Sequence, residues 1–282
     1  MSEKNLFSFG NEMVHYHHTL TPKPDPDRFP FRLHSHNMHE IYYFVQGDAE
    51  FTVEGTTYHL EKGMILLTAS GQVHHLTIND RHVPYERIVM MFGIGKASLY
   101  PDRINSLSNN VQSRIFKLSE REQIWFEENC SAIEKSNLSE NQLEMAIEAL
   151  INVVLTKLGT ISEDIRHEEQ QNNETVNQIV RFINRNLTSS LSLDMIGKEL
   201  FRDKAHLNRI FKSVMGCGIW EYVIQKRVFN ARQQLYLTKN VSAAFTASGF
   251  RDYSVFYRNY VRCTGMSPTA DLKKLTEEEN EK

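Results

Sequence analysis

A 16-residue segment of this chain occurs twice, with a constant offset of 49 residues and no gap. FRDKAHLNRIFKSVMG (201–216) and FRDYSVFYRNYVRCTG (250–265) share Phe, Arg, Asp, Arg and Gly at equivalent positions. Each copy begins with an Asp that can cap a helix and ends with a Gly suited to the left-handed C-terminal position. A short helical pattern precedes each copy, at 192–200 and 240–248. The repeat therefore predicts two helix-turn-helix units, whose second helices can enter a major groove.

The charge distribution supports a polyanionic partner for this half of the chain. Residues 1–173 carry 15 Lys+Arg against 24 Asp+Glu, whereas residues 174–274 carry 16 against 7. The total of -3 hides this division into an acidic front and a basic back. We expect only the back half to bind DNA, because a polyanion such as DNA is attracted to a basic surface.

The outward face of each repeated helix supplies candidate DNA contacts. Asn suits adenine and Arg suits guanine, each through two hydrogen bonds, so Asn208, Arg209 and Arg258 fit base reading. Arg202, Lys204 and Arg251 fit phosphate binding, which sets register without reading sequence. Ala205, Lys212, Ser254 and Tyr257 share the outward face. A duplicated helical bundle with merely solvated charges is the alternative, and it leaves the recurrence of these residue types unexplained.

The segment 174–274 resembles the AraC/XylS family of bacterial transcription regulators. The resemblance is carried by SLDMIGKELF, LNRIFKSVMG and GFRDYSVFYRNYVRCTGMSP. It implies two units joined by a helix at 219–237, with both recognition helices reading adjacent major grooves of promoter DNA, and it adds RNA polymerase as a partner of an activator. The base contacts that it implies are Ala205, Asn208, Arg209, Tyr253, Ser254, Tyr257 and Arg258.

Three positions depart from the family pattern. Phe245 replaces a usual alanine, Asp271 stands near an expected aromatic residue, and Lys204 stands where proline is frequent. Phe245 must therefore be accommodated by small neighbours in the second unit.

The front half has the pattern of an all-β domain. IYYFV, AEFTV, MILLT and RIVMMF are short apolar runs separated by turn signals, which favours a sandwich or barrel at 31–118. Four of the seven prolines lie between positions 22 and 30, so we expect an extended arm without regular structure at 1–30. We expect the fold class to be α+β: an N-terminal β-barrel followed by an all-α double helix-turn-helix domain and an acidic tail at 275–282.

Two helices are predicted between the barrel and the DNA-binding segment, over 119–160. Ser119 with Glu122, and Ser139 with Gln142, match the capping box at a helix N-terminus. An apolar stripe from Leu143 to Leu158 fits either packing on the barrel or a homodimer interface through 119–158. Residues 161–173 are polar enough for a linker.

The histidines of the front half resemble the metal motif of the cupin barrel. HSHNMHE places His34, His36 and Glu40 together, and His74 follows in GMILLTASGQVH. In metal-binding cupins the matching positions hold a divalent ion, which three imidazoles and a carboxylate suit. Sensor cupins use the same polar mouth for an organic effector. Both interpretations stay open here, with an effector favoured and a carbohydrate expected from the family.

The remaining features narrow the function classes. The chain has no apolar run long enough for a membrane span and no secretory leader, which predicts a cytoplasmic protein. Three widely spaced cysteines predict neither a disulfide framework nor a zinc motif. We expect a ligand-responsive transcription regulator and no enzyme. The alternative is a cupin metalloenzyme, an oxygenase or isomerase, with a helical appendage.

Overall fold

A computed structural model describes residues 3–11, 13–25, 33–93, 114–159 and 170–280. The chain forms two compact units: the first takes in the chain up to Gln171 except Leu33–Asn37, and the second takes in Leu33–Asn37 and the chain from Asn172. The N-terminal unit is β-rich. Its strands are β1 (Lys4–Gly10), β2 (Val14–Thr21), β3 (His39–Gln46), β4 (Ala49–Val53), β5 (Thr56–His59), β6 (Met64–Thr68), β7 (His74–Ile78), β8 (Tyr85–Phe92), β9 (Arg114–Lys117) and β10 (Gln170–Asn172). The strands predicted from the four apolar runs are confirmed as β3, β4, β6 and β8.

The strands form two sheets. The larger has the order β1-β2-β8-β3-β6-β9 and the smaller β10-β5-β4-β7. One face of the larger sheet packs with the smaller sheet around Tyr42, Phe51 and Val89. The other face packs against helices through Ile41, Ile88 and other apolar side chains. Side-chain alternation along each strand sends neighbouring residues to these two different cores.

The expectation of an arm without regular structure is wrong for much of residues 1–30. β1 and β2 pair antiparallel, and β2 pairs with β8 along its whole length, from Val14 opposite Phe92 to Thr21 opposite Tyr85. The prolines that argued against strands all follow Thr21, so they end β2 rather than interrupt it. Residues 26–32 lie outside the described ranges.

Both predicted capping boxes are confirmed, in α1 (Glu120–Glu134) and α2 (Glu140–Leu158). Ile147, Leu150 and Val154 of the α2 stripe are buried in the core shared with the larger sheet. Each such side chain contributes about 1.5–3 kcal/mol by leaving water. Much of the stripe therefore packs on its own barrel.

A polar cluster ties α1 to the sheet. The His18 ring reaches Glu134 of α1 through Nδ1 and Glu86 of β8 through Nε2, both at 2.9 Å. The Tyr16 hydroxyl donates to the same Glu134 oxygen at 2.6 Å. Although burial opposes it, hydrogen bonds to both carboxylates raise the pKa of His18. The pKa of Glu134 is lowered despite its partial burial, because His18 and Tyr16 bind the carboxylate.

The C-terminal unit is helical. Its helices are α3 (Glu174–Asn186), α4 (Leu193–Glu199), α5 (Lys204–Met215), α6 (Ile219–Thr238), α7 (Val241–Ser248), α8 (Tyr253–Thr264) and α9 (Pro268–Asn280). α4 with α5, and α7 with α8, are the two predicted helix-turn-helix units, and α6 is the connecting helix. The predicted linker lies mostly outside the described ranges, and its last residues are in β10. The tail predicted from residue 275 begins within α9.

Candidate nucleic-acid interface and effector site

The two recognition helices begin and end as the repeat predicts. Asp203 accepts from the backbone N–H groups of Ala205 and His206 at 2.9 Å, and Asp252 accepts from that of Val255 at 2.8 Å. Gly216 and Gly265 follow the helices with φ of 71° and 76°. These left-handed conformations are open to glycine without steric cost. The repeat thus specifies two helices with the same start and stop.

The predicted DNA contacts lie mostly on exposed faces. Leu207, Phe211 and Phe256 are buried and fix each helix to its unit. The exposed candidates are Arg202, Lys204, Ala205, Arg209, Lys212, Arg251, Tyr253, Ser254, Tyr257 and Arg258. Each unit therefore presents at least two arginines and a recognition helix to solvent.

Several of these side chains are held by neighbours. Lys204 Nζ lies 2.7 Å from Asp194 of α4, Arg202 donates to the Thr175 hydroxyl at 3.2 Å, and Arg209 lies 3.1 Å from His206 Nδ1. The bond to Asp194 raises the pKa of Lys204. All three contacts are exposed to water, so a phosphate or base edge can replace them at small cost.

Asn208 differs from the other candidates. It is half-buried, and its Oδ1 accepts from the backbone N–H of Ile219 at 2.9 Å, at the start of α6. This bond satisfies one of the amides that a helix N-terminus leaves without a partner. Bidentate pairing with adenine would require breaking it.

Phe245 is accommodated by aromatic packing rather than only by small residues. Its ring lies 5.4 Å from that of Tyr253 and 5.5 Å from that of Phe256. Asp271 is buried and accepts from the Tyr260 hydroxyl at 2.7 Å and from Arg232 at 2.9 and 3.2 Å. The two departures from the family pattern thus have partners in the second unit.

Three of the predicted site histidines have ring nitrogens close to one another. His34, His36 and His74 present ring nitrogens that all lie within 4.8 Å of one another. Glu40 Oε2 lies 4.0 Å from His74 Nε2. His74 Nδ1 must carry the proton, since it donates to the Gln72 carbonyl at 3.0 Å. In a neutral ring, Nε2 is then a lone-pair donor for a ligand or metal ion.

Sequence reasoning missed a second polar group on the same interior face. Strand pairing sets Thr19 opposite Arg87 and Thr21 opposite Tyr85. Arg87 Nη1 donates to the Tyr85 hydroxyl at 3.2 Å, and that hydroxyl bonds to the hydroxyl of Tyr42. Burial raises the pKa of both tyrosines, so they stay neutral donors.

The missed residues had a weak signal in the sequence. β2 reads VHYHHTLT, in which positions 15, 17, 19 and 21 are polar and alternate with residues of the helix-facing core. Such alternation predicts a strand with a polar face. The prolines after it hid this pattern.

Comparisons with known proteins agree with the predictions made for both halves of the chain. Residues 24–148 match the AraC-like ligand binding domain, and residues 196–274 match a helix-turn-helix domain. The class of protein is therefore a DNA-binding transcription regulator that responds to a small ligand. The chain belongs to the AraC family, and the predicted fold class is confirmed.

The relatives extend over most of the chain. The lactose operon transcription activator of Staphylococcus xylosus is 24% identical over 240 residues, which are 79% of each chain. The Msm operon regulatory protein of Streptococcus mutans is 26% identical over 248 residues, 83% of this chain and 84% of that protein.

Solved structures are also similar. ToxT from Vibrio cholerae is 14% identical with a TM-score of 0.38, covering 94% of this chain and 99% of ToxT. A DNA-binding transcriptional dual regulator from Escherichia coli is 19% identical with a TM-score of 0.33, covering 37% of this chain and 99% of that one. Among the described residues, no helix of this chain is long and apolar enough to cross a membrane.

Proposed function

We propose that a small effector binds in the barrel and changes how α5 and α8 read adjacent major grooves of promoter DNA. The proposal rests on one observation: two recognition helices have equivalent N-terminal caps, and both present exposed arginines. Arg209 and Arg258 are the expected base readers. Arg202, Lys204, Lys212 and Arg251 are the expected phosphate contacts, with Ala205, Asn208, Tyr253, Ser254 and Tyr257 completing the surface.

Two arginines of α8 provide a matched test. Arg258 bonds only weakly to its own helix, through Nε to the Ser254 carbonyl at 3.3 Å. Arg262 is held by Glu221 at 2.8 Å. DNA bound by the full chain is first selected from a random pool, and its affinity is then measured against salt. Arg258→Ala should weaken binding about 10- to 100-fold and relax specificity at one base pair, since a base contact contributes about 1–3 kcal/mol.

Arg262→Ala should leave the affinity within about threefold. Equal losses in the two variants would contradict the assignment of Arg258, and an affinity independent of salt would contradict DNA binding by this surface.

The proposed effector is a small polar molecule of the carbohydrate class, held by His34, His36, Glu40 and His74. Its support is the polar interior face and the naming of one relative after the lactose operon. A thermal-shift screen of mono- and disaccharides on the full chain tests it, because a bound ligand raises the melting temperature. His74→Ala should abolish the shift and His75→Ala, on the other face of β7, should keep it. A shift unchanged by His74→Ala would place the ligand elsewhere.

The same histidines would also suit a divalent ion. Elemental analysis of protein purified without chelator separates the two ideas: metal lost on His74→Ala but kept by His75→Ala would favour a metal site. The S. xylosus and S. mutans relatives, which align with most of this chain, are named as regulators, which supports a non-enzymatic role. Metal-dependent turnover of a substrate would overturn it.

A homodimer through the helical pair completes the proposal. Large apolar side chains on and between α1 and α2 are more than a third exposed: Ile124, Leu138, Met145 and Val153. A groove of about 380 Å³ lies between α1 and α2, lined by Trp125, Ile133, Leu138, Leu150 and Val153 together with Asn129 and three alanines. Exposed apolar surface of this kind marks a protein interface.

Light scattering should give twice the chain mass at micromolar concentration. Val153→Glu should give a monomer, whereas Val83→Glu, at a comparably exposed turn, should remain a dimer. Equal masses in both variants would refute the interface.

Activation through RNA polymerase is the final element, supported by the name of the S. xylosus relative. Transcription in vitro with purified polymerase should rise when protein and effector are added. A fall in transcript would instead identify a repressor.

A further inference from the structure

The two recognition helices present different chemistry to solvent. α8 exposes three large apolar side chains, Tyr253, Val255 and Tyr257, by 47%, 38% and 42%. α5, whose residues the structure describes throughout, exposes no large apolar side chain. At the offset of 49, Lys204 and Asn208 of α5 correspond to the two tyrosines of α8. The repeat therefore keeps the start and the end of the helix and changes the surface between them.

The two tyrosine rings lie side by side on α8. Residues four apart on a helix share a face, and the ring centroids of Tyr253 and Tyr257 are 6.5 Å apart. We call these two side chains the tyrosine surface. Arg258, the expected base reader, follows Tyr257 directly and is exposed as well. The tyrosine surface therefore adjoins the side chain that is expected to read a base edge.

Packing against α7 holds the Tyr253 ring in place. This ring lies 5.4 Å from that of Phe245, at an interplanar angle of 78°, and 5.6 Å from the buried ring of Phe256. Edge-to-face aromatic pairs at such distances attract each other beyond the effect of burial. Tyr253 stays 47% exposed despite these contacts. Because a ring that is already positioned loses little conformational entropy on binding, this surface is suited to contact a partner.

DNA offers one apolar group to such a surface. The base edges in the major groove present hydrogen-bond donors and acceptors, and thymine alone adds a methyl group at C5. An aromatic side chain that contacts this methyl group removes apolar surface from water on both molecules. The exposed Arg251 and Arg258 flank the two tyrosines in the sequence, and their charges favour a polyanion over an apolar protein partner. Thymine in a major groove is the partner that fits both the apolar and the basic side chains.

We propose that Tyr253 and Tyr257 contact thymine methyl groups, so that the half-site bound by α8 requires A·T base pairs beside the base pair read by Arg258. This inference rests on the proposed reading of a major groove by α8. Phe245 is a positioning residue that supports the ring of Tyr253. Hydrogen bonds from Arg258 and apolar contacts from the tyrosine surface then specify different base pairs of one half-site.

Exchange of uracil for thymine in the DNA tests the inference on the full chain. Deoxyuridine lacks only the C5 methyl group and keeps its pairing with adenine. In DNA selected from a random pool, the α8 half-site consists of the base pairs around the one at which Arg258→Ala relaxes specificity. Deoxyuridine at a contacted thymine of this half-site should weaken binding about three- to fivefold, which is the effect of exposing one buried methyl group.

Matched variants assign this loss to the rings. The double variant Tyr253→Ala with Tyr257→Ala should bind thymine and deoxyuridine DNA equally. The double variant Tyr253→Phe with Tyr257→Phe keeps the rings and should keep the preference for thymine. Phe245→Ala removes the support of Tyr253 and should reduce the preference. Tyr236→Ala, at a tyrosine of α6 that is 53% exposed, is the control and should leave the preference intact.

The failures are distinguishable. If the selected half-site contains no thymine, or if deoxyuridine leaves the affinity unchanged, thymine reading is refuted while DNA binding by α8 stands. A loss that persists in the double alanine variant would refute the role of the rings. A preference abolished equally by the double phenylalanine variant would assign it to the hydroxyl groups and refute the methyl contact. If no DNA is selected, or if Arg258→Ala leaves specificity unchanged, the proposed function fails together with this inference.

Discussion

Removing the Asp271 carboxylate should lower the free energy of unfolding of the second helix-turn-helix unit by more than removing an exposed charge would. Asp271 is 1% exposed on α9 and binds both Arg232 of α6 and Tyr260 of α8. Asp271→Ala removes three hydrogen bonds. It leaves the Tyr260 hydroxyl buried with no acceptor in place of the carboxylate, while water can reach Arg232, which is 35% exposed.

The expected cost follows from this burial. A stranded buried hydroxyl costs about 1–3 kcal/mol, and breaking a buried ion pair by deleting one partner costs about 3–5 kcal/mol. Because Arg232 is partly solvated, we expect a loss of about 3–4 kcal/mol in the free energy of unfolding. Asp271→Asn keeps an acceptor for Tyr260 and should lose about half of that.

Urea denaturation of the full chain, followed by circular dichroism at 222 nm, measures the effect. The matched control is Glu221→Ala, which breaks the exposed pair with Arg262 and should cost less than about 1 kcal/mol. The transition of the helical unit should move to lower urea only for Asp271. Equal shifts in the two variants would refute the burial argument.

The remaining predictions concern a strained turn and a titrating histidine. Phe201 is 94% exposed with φ of 51°, so Phe201→Gly should stabilise the helical unit by about 0.5–1 kcal/mol. Phe250→Gly, at the equivalent but buried position, should cost at least about 3 kcal/mol. The melting temperatures of the two variants measure this difference. The raised pKa of His18 means that its stabilisation is complete below its usual value of 6.5 and is lost as pH rises through the folded value. The urea midpoint should fall between pH 6 and pH 8.5 in the wild type and in the exposed control His82→Gln, and it should fall less in His18→Gln. An equal fall in all three proteins would contradict the stabilising role of His18 in the polar cluster.

Local signals in the sequence predicted the elements well. The capping residues Ser119, Ser139, Asp203 and Asp252 start helices where expected, because a cap needs only a short stretch of chain. Identical residues at equivalent positions of the repeat do not have the same environment, because Phe201 is exposed and Phe250 is buried. In the first unit the left-handed turn residue is Phe201 itself, whereas in the second it is Gly249.

The candidate site was less accessible to sequence reasoning. Glu40 and His74 belong to a recognisable motif, but Arg87 was found only through strand pairing with β2. In a sequence, a charged residue inside an apolar run is typical of an exposed position on an edge strand. Only the neighbours across the sheet show that Arg87 lies on the interior face. Asn208 likewise acquires its contact from Ile219, at the start of another helix.

Strand β8 places the interior face, which carries the proposed effector site, and the helix-facing side of the larger sheet one residue apart. Arg87 lies on the interior face and Ile88 in the core shared with α1 and α2. Substitutions at alternate positions of this strand could therefore change which molecule is sensed while leaving the helical pair intact. Under the proposed function, the input and the assembly of the regulator would be encoded on opposite sides of a single peptide layer, so that one scaffold could give regulators with different inputs.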